Sequence, residues 1–111
     1  MSLKVLIKRK VPPAMRDEIM NLIKELRSRA TVQTGYITGE TLQRLDEPDE
    51  FLVISSWQNL DDWNKWMNSA IRTEIRQRIE ILAGAKESYE VYYHPGPASA
   101  TLSGFKGWEG G

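Results

Sequence analysis

Two kinds of side chain on one stretch of the chain can bind a flat, negatively charged molecule. Trp66 can stack on an aromatic ring, and Arg72 and Arg76 carry guanidinium groups that can stabilise an anion. The two arginines lie four residues apart, so they share one face of a helix. Each also has a structural interpretation: Trp66 fills a core, and the arginines form a solvated charged face with Glu74 and Glu80.

The stretch that carries these residues, 59–82, has the spacing of a helix packed on a core. Its apolar residues recur every four positions as Trp63, Met67, Ile71, Ile75 and Ile79, and Leu82 follows three residues later. Asn59 is the expected N-cap, and Asn68-Ser69 predicts a break between a short helix and a longer one. Gly84 is the expected C-terminal cap.

The rest of the chain alternates between strand and helix patterns. We expect strands at 3–11, 36–45, 51–57 and 89–94, and a further helix at 14–30. Gly39 inside the second strand indicates a bulge or a close approach of another group. The resulting βαββαβ order predicts an α+β, ferredoxin-like domain over residues 1–94, with an antiparallel four-stranded sheet and the helices on one face. Residues 95–111 are rich in Gly and Pro, and we expect them to form a tail.

One strand indicates a partner. Phe51-Leu52-Val53-Ile54 is apolar on both faces, and only one face of the sheet can meet the helices. A small domain has nothing else to cover the second face, so a homodimer that packs through its sheet faces is expected.

Composition excludes several classes of function. The chain has 15 basic and 15 acidic residues, so no long-range attraction to nucleic acid or to a membrane surface is expected. It has no cysteine and a single histidine, His94, which argues against a metal site or a thiol nucleophile. No window has the length of a membrane span, and the stretch MSLKVLIKRKVPP lacks the features of a signal peptide, so we expect a cytoplasmic protein.

The segment GYITGETLQRLDEPDEFLVISSWQNLDDWNKWMNSAIRTEI resembles the antibiotic biosynthesis monooxygenase family of the dimeric α+β barrel superfamily. The resemblance rests on the strand that starts at Gly35-Tyr36, the hairpin, the strand that ends at Trp57 and the helix opening over 62–69. It extends in order over residues 3–94. It implies a ferredoxin-like subunit whose sheet packs on that of a partner, with a ligand pocket between the helices and the sheet.

The branches of the family differ in residues that can be compared with this sequence. The heme-degrading branch has a pocket tryptophan that matches Trp66, an iron-binding histidine ten residues later, and an asparagine on the first strand. Arg76 stands at the histidine position, and the asparagine position falls near Lys8 or Arg9. Heme degradation is therefore disfavoured. Heme binding would need His94, which as a lone histidine near a strand end we interpret as a surface group.

The phenol-oxidising branch uses no metal or flavin, so the resemblance implies no cofactor. The deprotonated phenol or quinol itself passes an electron to dioxygen, while the protein holds the rings and stabilises the anion. We therefore expect a monooxygenase of an aromatic phenol or quinol. The candidate catalytic residues are Trp66, Arg76 and Arg72, and the candidate substrate-binding residues are Tyr36, Trp63, Tyr92 and His94. The alternative is a non-catalytic protein that binds a small molecule with the same fold.

Overall fold

The computed structural model describes residues 2–95, which form four strands and three α-helices. The elements are β1 (Leu3–Lys10), α1 (Arg16–Ala30), β2 (Tyr36–Gln43), β3 (Glu50–Trp57), α2 (Leu60–Met67), α3 (Ala70–Ala83) and β4 (Ser88–Tyr93), with a 3-10 turn at Pro13–Met15 before α1. All strand pairs are antiparallel, in the order β2-β3-β1-β4. The α+β, ferredoxin-like fold is confirmed. The expected tail lies, apart from Pro95, outside the described residues.

β1 shows how the sheet meets the helices. Leu3, Val5 and Ile7 are buried, whereas Lys4 and Lys8 on the opposite side are exposed. This alternation confirms the period of two in the sequence. The buried side chains pack with Ile19, Leu22, Ile23, Leu26, Ile75 and Ile79 of the helices in one core. Each such side chain contributes about 1.5–3 kcal/mol of stability through its removal from water.

The boundaries of α2 and α3 follow from local chemistry. Asn59 Oδ1 accepts a hydrogen bond from the Asp62 backbone N–H at 2.8 Å, and Ser69 Oγ accepts one from the Arg72 backbone N–H at 3.2 Å. Each bond satisfies a backbone donor that a helix start leaves free. Gly84 closes α3 with a left-handed φ of 68°. The two helices and the break between them were expected from Asn59, Asn68-Ser69 and Gly84.

The apolar spacing was misleading at one position in this region. Ile71 was expected in the packed stripe, but its side chain is 43% exposed. Ile71 lies in the first turn of α3, which begins at Ala70 after the break that follows Met67. Ile75 and Ile79 are buried as expected, and Arg72 is buried beside them in place of Ile71.

No helix within residues 2–95 is both long enough and apolar enough to cross a membrane.

Candidate functional site

A cavity lies between the helices and the side of the sheet that faces them. Its empty volume, counted out to the solvent at its opening, is about 490 Å³. The part that can hold the centre of a water molecule is about 50 Å³. It is lined by Ile7, Arg9, Ile23, Leu26, Arg27, Ala30, Tyr36, Gly39, Thr41, Val53, Ser55, Trp57, Trp63, Trp66 and Arg72. An apolar lining with a few polar groups is the usual character of a small-molecule site.

Aromatic rings form one wall of this cavity. The Trp57 ring lies 5.4 Å from the Tyr36 ring and 5.7 Å from the Trp63 ring, both in edge-on geometry. Ser55 fixes Trp57, because Ser55 Oγ accepts a hydrogen bond from the buried Trp57 Nε1–H at 3.1 Å. Trp66 completes the wall and is only 4% exposed. The wall therefore offers flat, apolar surfaces on which an aromatic ring can stack.

Gly39 on β2 leaves room for the tyrosine of this wall. A Cβ at Gly39 would lie 2.5 Å from Tyr36 Oη, closer than the two groups can approach. The register of β2 against β3 also shifts between Tyr36 and Thr38. Of the two alternatives expected at Gly39, the close approach is found, whereas the irregularity lies between Tyr36 and Thr38 and not at Gly39 itself.

Two buried arginines that contact the same carboxylate give the cavity its charged groups. Glu87 Oε1 lies 2.9 Å from Arg9 Nη1, and Glu87 Oε2 accepts a hydrogen bond from Arg72 Nη2 at 3.0 Å. The three side chains are only 2–6% exposed. The Arg72 guanidinium also lies 5.3 Å from the Trp63 ring centroid, a cation–π contact. We call Arg9, Glu87 and Arg72 the buried charge cluster.

The buried charge cluster carries one positive charge more than its carboxylate balances. Burial lowers the pKa of Arg9, because the loss of hydration outweighs the attraction of Glu87 and of Glu80, and Arg72 lowers it further. Arg9 Nη1 faces Glu87 Oε1 at 2.9 Å in an ion pair, whereas Arg9 Nε has no hydrogen-bond partner within the described residues. Unpaired buried donors of this kind are rare in folded proteins.

Four of the seven residues singled out in the sequence lie together in this cavity. Trp66, Trp63, Tyr36 and Arg72 all line it. Arg72 is 1% exposed, so its interpretation as part of a solvated face is wrong. The apolar stripe did not reveal this inward orientation, because Arg72 lies one residue after Ile71, the stripe member that is exposed.

The other three candidates lie away from the cavity. Arg76 forms a partly exposed ion pair with Glu80 at 2.9 Å, which agrees with its interpretation as part of a charged helix face. Tyr92 pairs with Lys4 on the opposite side of the sheet and is 52% exposed. His94 follows β4 and is exposed. Within residues 2–95, no three His, Asp or Glu side chains cluster as metal ligands.

Sequence reasoning missed Arg9 and Glu87. In the sequence, Arg9 was considered as a residue near the asparagine position of the heme-degrading branch, yet it occupies the inward position that follows Leu3, Val5 and Ile7 in β1. A charged residue at an inward position of an amphipathic strand was the available signal. Glu87 gave no such signal, because it lies just before β4 and meets Arg9 only through the pairing of β1 with β4.

Comparison with known proteins identifies the family. The family model described as "Antibiotic biosynthesis monooxygenase" matches residues 2–78, which is more than half of the chain. The protein belongs to the antibiotic biosynthesis monooxygenase family, as the resemblance in the sequence indicated. A search of curated proteins found no match.

Solved structures share the fold. A conserved protein from Methanosarcina mazei Go1 is 22% identical, with a TM-score of 0.76, over 83% of this chain and 91% of its own. SnoaB, a cofactor-independent oxygenase from Streptomyces nogalater, is 12% identical, with a TM-score of 0.73, over 89% of this chain and 98% of its own. At such low identities the likeness shows the fold and leaves the reaction open.

Proposed function

We propose that the protein is a cofactor-independent monooxygenase that oxidises an aromatic phenol or quinol bound in the cavity. The observation that carries the proposal is the shared cavity wall of Trp66 and Arg72, which combines a stacking surface with a buried cation. Membership of the family and the fold shared with SnoaB support the reaction type.

In the proposed reaction the substrate supplies the electrons. The deprotonated ring passes one electron to dioxygen, and the two radicals combine to form a carbon–oxygen bond at a ring carbon that still carries a hydrogen. That hydrogen leaves as a proton, and the electrons of the C–H bond form a C=O bond while the O–O bond breaks. One oxygen atom stays on the ring as a carbonyl, and the other leaves as hydroxide, which takes up a proton to become water. The wall of Trp57, Trp63 and Trp66 holds the ring, while the nearby arginine charge favours its deprotonated form.

Oxygen uptake tests the reaction directly. The metal-free protein is incubated with hydroquinones and anthrones, and oxygen consumption is compared with protein-free samples. The cavity is small, since only about 50 Å³ of it can hold the centre of a water molecule, so the size of the substrate matters. The panel therefore includes molecules with one, two and three rings. We expect uptake with at least one member of the panel.

Two arginine variants locate the site of the reaction. Arg72→Met removes a cation from the cavity, whereas Arg76→Met removes the same group from the partly exposed face outside it. Loss of one group that stabilises developing charge typically lowers turnover about 10²- to 10³-fold. We expect this loss for Arg72→Met and less than about a threefold change for Arg76→Met. Equal losses in the two variants would contradict the assignment of the cavity.

The second candidate function is ligand binding without turnover. The unpaired Nε donor of Arg9 favours it, because it calls for a ligand whether or not oxygen reacts. Retention of an aromatic ligand through prolonged aerobic incubation, with ligand recovered unchanged and no oxygen consumed, would select this function.

We infer that the protein forms a homodimer through the side of the sheet that faces away from the helices. Leu6, Leu42, Leu52 and Ile54 lie on that side and are only partly covered, as strand pairing places Leu6 beside Ile54 and Leu42 beside Leu52. Partly exposed apolar groups on one sheet face favour association. Sedimentation at micromolar concentration is expected to give a dimer, and Ile54→Lys a monomer; a wild-type monomer would contradict the inference.

A further inference from the structure

The location of Arg9 points to a role in binding a ligand. It ends the inward row of β1, lines the cavity and is 4% exposed. Its Nη1 faces Glu87 Oε1 at 2.9 Å, but its Nε donor has no hydrogen-bond partner within residues 2–95. Leaving a buried donor without a partner is unfavourable, so a group that accepts from Arg9 would be bound with a gain in free energy.

The charges around Arg9 define what that group is. Arg9 and Arg72 both contact the carboxylate of Glu87, at 2.9 and 3.0 Å, so the two arginines share the one excess positive charge of the buried charge cluster. Arg9 is the one of the two whose Nε has no hydrogen-bond partner within residues 2–95. Among the residues that line the cavity, the two other cationic side chains are Arg27 and Arg72, and there is no carboxylate. A ligand with a single negative charge would balance the buried charge cluster, whereas a cationic ligand would be repelled.

The aromatic wall of the cavity is the second feature that a ligand must match. Trp57, Trp63 and Trp66 line the same small cavity as Arg9 and accept the face or edge of an aromatic ring. The ligand that fits both features is an aromatic molecule that carries one oxyanion. Arginine suits that oxyanion, because its planar guanidinium binds the two oxygens of a carboxylate side by side and donates charge-assisted hydrogen bonds to the single oxygen of a phenolate.

We propose that Arg9 is the anion-binding residue of the cavity and that the protein takes its aromatic ligand as a monoanion, through a carboxylate or a phenolate oxygen. The proposal rests on the proposed use of this cavity as the substrate site and specifies the class of substrate. It concerns binding alone, so it holds or fails independently of any turnover.

Matched probes test the proposal without oxygen. Binding of 2-naphthoate and of its neutral counterpart 2-naphthamide is followed anaerobically by calorimetry and by quenching of tryptophan fluorescence. A hydrogen-bonded charge at a buried site discriminates by about 10- to 100-fold, so we expect the naphthoate to bind tighter by that factor. A third probe, 4-nitrophenol, reports its own ionisation by absorbance, and we expect the bound form to ionise at lower pH than the free form.

Three variants assign the preference to Arg9. Arg9→Met removes the charge but leaves Arg72 paired with Glu87, so we expect a folded protein in which the preference for naphthoate is lost. Arg9→Lys keeps the charge and is expected to retain part of the preference. Arg29→Met is the control, since Arg29 is exposed on α1, lies 4.0 Å from Glu25 in a loose ion pair and does not line the cavity.

The outcomes separate the proposal from its alternatives. A wild-type protein that binds the naphthoate and the naphthamide equally, or an Arg9→Met variant that keeps the anion preference, would overturn it. If Arg9→Met does not fold, the naphthoate preference of the wild type must be retained in Arg9→Lys, and its absence there would also overturn it. Whichever of naphthoate and 4-nitrophenolate loses more affinity in Arg9→Met identifies the oxyanion as carboxylate or phenolate. Absence of oxygen uptake with intact anion binding would reject the monooxygenase and keep this proposal.

Discussion

The buried charge cluster makes a specific prediction about stability. In Glu87→Gln, Arg9 and Arg72 lose the carboxylate that both contact, at 2.9 and 3.0 Å. Removing one partner from a buried ion pair typically lowers the free energy of unfolding by about 3–5 kcal/mol. For a domain of this size each kcal/mol lowers the melting temperature by about 4–8 °C, so the loss amounts to tens of degrees.

Arg9→Met is expected to behave differently, although it alters the same cluster. The remaining Arg72 and Glu87 form a neutral pair, and the methionine keeps the apolar part of the side chain. The lowered pKa of Arg9 means that its charged form is less favourable in the folded chain than in the unfolded one, so at neutral pH the charge opposes folding. We therefore expect the free energy of unfolding to rise or fall by no more than about 1 kcal/mol.

Urea unfolding followed by tryptophan fluorescence measures both variants, because Trp57, Trp63 and Trp66 are buried. The double variant Arg9→Met/Glu87→Gln completes the cycle. It should be more stable than Glu87→Gln alone, since one unpaired guanidinium remains in place of two. If Arg9→Met loses as much stability as Glu87→Gln, the cluster has no excess charge to offer a ligand and the reasoning is refuted.

Three further substitutions test how the cavity wall is held. Ser55→Ala leaves the buried Trp57 Nε1–H without its acceptor and should lower the free energy of unfolding in urea by about 1–3 kcal/mol; an unchanged value would contradict the role of that bond. Gly35→Ala forces a side chain onto a φ of 88° and should lower the melting temperature through a loss of about 1–3 kcal/mol, whereas an unaltered melting temperature would show that the loop relaxes. Gly39→Ala meets only the rotatable end of Tyr36, at 2.5 Å, so stability should change by less than about 1 kcal/mol while near-ultraviolet circular dichroism changes; an unchanged spectrum would mean that Tyr36 has not moved.

The fold follows closely from local sequence signals. Strand alternation in β1 and the helix caps at Asn59, Ser69 and Gly84 depend on residues near one another in the chain. Such signals are visible without tertiary structure. The order of strands and helices and the family resemblance then led to the ferredoxin-like fold.

The site was only partly visible in the sequence, for physical reasons. Trp66 was found because it matches a pocket tryptophan of the family and can stack on a ring, and Tyr36 was a candidate substrate-binding residue. Arg72 was a candidate, but its burial depends on how α3 restarts after the break. Arg9 and Glu87 come together through contact between distant parts of the chain, which no local sequence pattern predicts.

The central claim is that the cavity binds an aromatic phenol or quinol and that the protein oxidises it without a cofactor. Oxygen uptake by the metal-free protein, across hydroquinones and anthrones, tests that claim most directly. We expect uptake above the protein-free rate with at least one substrate, and loss of that uptake in Arg72→Met but not in Arg76→Met. Uptake no faster than in protein-free samples across the whole panel would contradict the claim.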